Sequence, residues 1–70
     1  MNGNEFLKKL KKLGDQTGIE VQVVLERGKG SHGTVYYGER FTVLKDRKKE
    51  LGKGLLNAMC KQLGIHSHEL

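Results

Sequence analysis

The chain has 70 residues, ten of them glycine, none proline and one cysteine, enough for one small domain over residues 1–70 with a single marginal core. Thirteen Lys and Arg against eight Asp and Glu leave a net charge of +5, which suits an anionic partner (nucleic acid, anionic lipid or an acidic protein) and, taken alone, equally a solubilising surface. A lone cysteine excludes an internal disulfide, and no apolar run approaches the roughly 20 residues of a membrane-crossing helix.

Asn2, with Glu5 three residues on, is a capping box with Asn in place of Ser or Thr. Phe6, Leu7, Leu10 and Leu13 then form one apolar helical stripe, with Lys8, Lys11 and Lys12 on the other side. The basic residues interleave with the leucines, so no signal peptide is expected, and a reducing cytoplasm is the expected compartment. Gly14 is the expected stop, followed by a turn at Asp15-Gln16-Thr17-Gly18. Ile19, Val21, Val23 and Leu25 alternate with more polar neighbours, the pattern of a half-buried strand. A polar loop with two glycines, Glu26 to Ser31, leads into a second strand from about His32 to Tyr37.

Gly38-Glu39-Arg40 turns the chain, and Phe41 to Leu44 returns. A three-residue loop pairs Tyr37 with Phe41 and Val35 with Val43, gathering all four on the core face. A two-residue loop would split them between faces, which a one-sided sheet disfavours. The three-residue register turns His32, Thr34 and Tyr36 away from the core. After a basic connection, Lys45 to Lys53, a second stripe runs through Leu55, Leu56, Met59, Cys60 and Leu63. Gly64-Ile65 suits a Schellman stop. The expected architecture is α+β: a three-stranded antiparallel sheet in the order α-β-β-β-α, with both helices packed on one face.

The candidate chemistry centres on Lys29-Gly30-Ser31-His32-Gly33. Histidine is the side chain whose unperturbed pKa lies nearest neutral pH. An ordinary surface histidine is the bland alternative. Against it stand Gly30 and Gly33, which permit close approach of a ligand, and Arg27, Lys29 and the loop amides, which suit a phosphate. RNA cleavage needs a base for the 2′-OH proton, donors for the phosphate and an acid for the leaving oxygen. Only the first two have obvious candidates.

Other constellations are weaker. Gly28-Lys29-Gly30-Ser31 fails the spacing of a nucleotide-binding P-loop and precedes a strand. Cys60, His66 and His68 match no standard zinc pattern; a core cysteine and a solvated, fraying tail are the expected reading. Arg47, Lys48, Lys49 and Lys53 lie before and at the start of the second helix, where anions are favoured. Tyr36 is the tyrosine free to stack on a base, since Tyr37 falls in the core.

Gly28-Lys29-Gly30-Ser31-His32, then a hairpin, then Glu50-Leu51-Gly52-Lys53-Gly54-Leu55-Leu56, Met59 and Gln62-Leu63-Gly64-Ile65, resembles the HicA family, the toxins of HicA–HicB toxin–antitoxin pairs. The resemblance runs from about Phe6 to Ile65. It implies a double-stranded-RNA-binding-like fold, mRNA cleavage that blocks translation, and neutralisation by a HicB antitoxin. It also implies that His32 is catalytic and that no metal or other cofactor is needed. The chain departs from the family pattern after the third strand. Many members carry a proline there, often with a second histidine, where this chain has Val43-Leu44-Lys45-Asp46. A leaving-group acid would have to be Lys45, Arg47 or water.

The resulting expectation is a ribonuclease toxin with His32 as general base and mRNA and a HicB-like antitoxin as partners. Arg27, Lys29 and Ser31 would hold the scissile phosphate, Tyr36 a base, and Arg47, Lys48, Lys49 and Lys53 the RNA backbone. The alternatives are a non-catalytic RNA-binding module of the same fold and an interaction protein whose basic face docks an acidic partner.

Overall fold

The computed structural model describes residues 1–25 and 32–70. The element order is α1 (Gly3–Thr17), β1 (Val21–Leu25), β2 (Gly33–Tyr37), β3 (Arg40–Leu44) and α2 (Lys53–Leu63), followed by a 3-10 turn at Ser67–Glu69. The strands form one antiparallel sheet in the order β1-β2-β3. The α+β class and the α-β-β-β-α order are those expected from the sequence.

The capping box forms as the spacing requires. The Asn2 side chain accepts from the Glu5 N–H at 2.9 Å, and the Glu5 carboxylate accepts from the Asn2 N–H at 3.2 Å. The expected stop at Gly14 is wrong. The helix continues to Thr17, and Gly18 takes the left-handed cap at φ 74°. The Thr17 hydroxyl bonds back to the Leu13 carbonyl at 3.0 Å and shares a 2.9 Å bond with the Tyr37 hydroxyl, which ties the last turn to the sheet. Gly14 serves packing instead. A Cβ there would stand 2.6 Å from both the Ile19 carbonyl oxygen and Val21 Cγ2.

The hairpin register also differs from expectation. Tyr37 pairs with Arg40, Tyr36 with Phe41, Val35 with Thr42 and Gly33 with Leu44, so the loop is the two residues Gly38-Glu39. Gly38 has φ 62°, and no non-glycine among the described residues has positive φ, the sign pattern of a type II′ hairpin. The consequence is an exchange of faces on β3. Thr42 is 2% exposed and its hydroxyl donates to the Gln62 side-chain oxygen, while Phe41 is 57% exposed on the outer face. The assumption of a one-sided apolar sheet failed because hydrogen bonding to α2 makes a buried threonine tolerable.

The core lies between the sheet and the helices. Phe6, Leu10, Val35, Cys60 and Leu63 are its most buried members, joined by Leu7, Leu13, Tyr37, Leu44, Leu51, Met59 and Ile65. Leu55, expected in the second stripe, is largely exposed. It lies roughly 90° around the helix from the midline of Leu56, Met59, Cys60 and Leu63. The Schellman stop is present: Ile65 N–H reaches the Cys60 carbonyl at 2.9 Å and Gly64 N–H the Lys61 carbonyl at 3.1 Å. His66 and His68 stack with centroids 5.3 Å apart, and Leu70 packs against the core.

Candidate active site

His32 directly precedes β2 and is half-buried. Thr34 and Tyr36 lie on the outer face of β2, as expected from the sequence, and carrying the alternation one residue beyond Gly33 assigns His32 to the same row. The last β2–β3 pair is Gly33 with Leu44, so His32 and Lys45 are the residues just outside the same end of the two strands, His32 entering β2 and Lys45 leaving β3 at a bend. Gly33 does not have a positive φ. A Cβ there would meet the Val24 carbonyl oxygen and the Leu25 side chain at 3.1 Å, so the glycine lets β1 close against β2 beside His32.

Arg27, Lys29 and Ser31, expected to hold the phosphate, lie outside the described residues. Tyr36 stands on the outer face, with Phe41 opposite it on β3; their ring centroids are 6.0 Å apart with planes tilted by 44°. Phe41 was missed as a site candidate because the wrong register buried it. The signal was present in Gly38-Glu39, whose first residue suits a two-residue turn.

The basic segment after β3 leaves the sheet at the His32 end. The Asp46 carboxylate accepts the Lys48 N–H at 2.9 Å, a local turn. The Arg47 carbonyl accepts the Asn4 N–H at 2.9 Å, and the Leu51 N–H reaches the Met1 carbonyl at 2.8 Å. A Cβ on Gly3 would stand 2.6 Å from Arg47 Cα, so the segment is clamped to the start of α1. Arg47 is half-buried in this clamp, and its Nε is buried with no hydrogen-bond partner. Lys48, Lys49 and Lys53 are exposed. The structure therefore divides the four: three present their charge to solvent, and Arg47 also has a packing role. Gly52 starts α2 without a side-chain cap, which leaves first-turn N–H groups for water or an anion.

Cys60 is buried in the core, and burial, with the nearby Glu69 carboxylate, pushes its thiol pKa up. Among the described residues no group of three His, Cys, Asp or Glu side chains is placed to hold a metal. A groove of about 570 Å³ runs between β3 and α2, lined by Phe41, Val43, Leu55, Ala58 and Gln62 among others. His32 is not part of it. No helix among the described residues is long and apolar enough to cross a membrane.

Searches among curated proteins and among solved structures gave no match. The family model that describes the HicA toxin of bacterial toxin-antitoxin systems matches residues 3–65. That span runs from the first residue of α1 to the Ile65 that completes the stop of α2, so it takes in every strand and both helices. The chain belongs to the HicA toxin family, and is the toxin of a pair whose other member is an antitoxin.

Proposed function

We propose that this toxin is an endoribonuclease that cleaves mRNA and is neutralised by a HicB-like antitoxin. The observation that carries the reading is that His32 enters β2 at the end of the uncovered sheet where the basic segment, beginning at Lys45, departs from β3. His32 takes the proton of a ribose 2′-OH. The 2′-oxygen bonds to the adjacent phosphorus, the bond from phosphorus to the 5′-oxygen breaks, and that oxygen leaves with a proton. The products are a 2′,3′-cyclic phosphate and a 5′-OH. The ammonium of Lys45 stabilises the negative charge that builds on the phosphoryl oxygens and donates the proton to the leaving oxygen. It answers the need left by the missing second histidine better than Arg47, whose backbone is held against α1. Lys48, Lys49 and Lys53 add backbone contacts with little sequence preference.

The test is His32→Ala on labelled mRNA. The expected result is loss of cleavage and of growth inhibition, with RNA still bound. A half-buried side chain without a place in the apolar core should shift stability by about 0.5 kcal/mol or little more. Cleavage at the wild-type rate by the folded variant would remove His32 from the mechanism. A wild-type protein that binds RNA but never cuts it would leave the non-catalytic RNA-binding module as the better reading.

A further inference from the structure

The outer face of the sheet is built from Gln22 and Val24 on β1, Thr34 and Tyr36 on β2, and Phe41 and Val43 on β3. None of these six carries a charge. Val24, Phe41 and Val43 are each more than half exposed. Both helices pack on the opposite face, so no described element of the chain covers this one. The chain has four aromatic side chains in all. Phe6 and Tyr37 are in the core, and the other two, Tyr36 and Phe41, are direct cross-strand partners on this face.

We propose that Tyr36 and Phe41 form a stacking platform for a base of single-stranded RNA, while the phosphate backbone passes His32 and Lys45 at the end of the same strands. This deepens the ribonuclease reading and rests on it for the role of His32. The face is graded along β2: His32 at the strand end where Lys45 leaves β3, then Thr34, then the aromatic pair. A nucleotide has the same two parts, an anion and a π-face. An apolar protein surface would match the valines but has no use for the histidine–lysine edge, and the net charge of +5 favours the anion. His32 and Tyr36 are four residues apart, about 13 Å along an extended strand, so the stacked base belongs to a neighbour of the cleaved nucleotide. A duplex keeps its base faces stacked on each other, so only a single strand, loop or bulge can use the platform.

The test uses the wild-type chain with a single-stranded 2′-O-methyl oligonucleotide, which cannot react through its 2′-oxygen, carrying 2-aminopurine as a reporter base. Binding is read by anisotropy and stacking by quenching of the reporter. Tyr36→Ala and Phe41→Ala should each weaken binding roughly 5- to 150-fold, the range of one base–aromatic stack. Tyr36→Trp should keep both affinity and quenching. Tyr36→Leu, apolar without a π-face, should lose both while melting like the wild type. Wild-type affinity in either alanine variant, or in Tyr36→Leu, overturns the platform. So does a duplex bound as tightly as the single strand. Variants that bind RNA normally but escape the antitoxin would make the face a protein interface and also overturn it. None of these readouts needs cleavage, so a chain that stacks RNA without cutting it would sink the nuclease reading and leave the platform standing.

Discussion

Cys60 shows how a single residue can report on the core without touching the site. Burial raises its thiol pKa above the ordinary 9.0, and Glu69 adds to the shift. The unfolded chain exposes the same thiol and ionises it first as the pH rises. The contribution of the neutral thiol to stability is therefore complete below about pH 9 and declines as the pH climbs towards the raised folded value. The melting temperature should fall above about pH 9 more steeply in the wild type than in Cys60→Ala, even though the variant melts lower throughout because of the cavity it leaves. Parallel curves would show that Cys60 is not the group responsible. Its place in the core was legible from the stripe of Leu56, Met59 and Leu63. The placing of Tyr36 and Phe41 as a pair was not, because side-chain periodicity says which residues of one strand share a face but not which residue of the next strand stands opposite.

At the scale of elements, glycines decide where the helix ends and how the hairpin turns. Gly14 and Gly18 both lie near the end of α1, and a sequence pattern cannot distinguish a glycine that stops a helix from one that lets a strand approach it. The structure separates them by backbone angle and by contact. An exposed Gly→Ala change within a helix gains about 1 kcal/mol. Gly14→Ala should instead cost roughly 1–3 kcal/mol, because its Cβ would meet backbone and side-chain atoms at 2.6 Å. Chemical denaturation of the variant checks it, and a gain in stability would contradict the packing. Asn2→Ala, which removes the cap, should cost about 1 kcal/mol. The capping box and the Schellman stop were readable because each is a local rule on residues three to five apart. The hairpin register was not settled by local rules, since two loop lengths compete. The side chain of Arg40 over Gly64 and the bond from Thr42 to Gln62 are contacts with α2, twenty or more residues away.

At the scale of the whole molecule, the lysines fall into two groups. Lys8, Lys9, Lys11 and Lys12 are exposed on α1, which packs on the core face of the sheet. Lys45, Lys48 and Lys49 leave β3 at the His32 end, and Lys53 opens α2. Net charge alone, which was plain in the sequence, treats these two groups as equal; the fold does not. An interface of standard size takes about 800 Å² from each partner, roughly a sixth of the 4958 Å² that this chain exposes. Size therefore does not force every partner onto the same surface, and position has to be tested by charge. Each phosphate neutralised on a single strand contributes about 0.7 to the slope of log affinity against log salt. If Lys48, Lys49 and Lys53 each contact one phosphate, replacing all three by alanine should reduce that slope by about 2. Replacing Lys8 and Lys12 on α1 should leave it unchanged, and Tyr36→Ala should lower affinity at every salt concentration without altering the slope. The measurement is a titration of single-stranded RNA across a range of salt for the four proteins. An equal loss of slope from the α1 pair would mean that RNA is held by diffuse charge over the whole molecule, and that the His32 end of the sheet has no special claim on it.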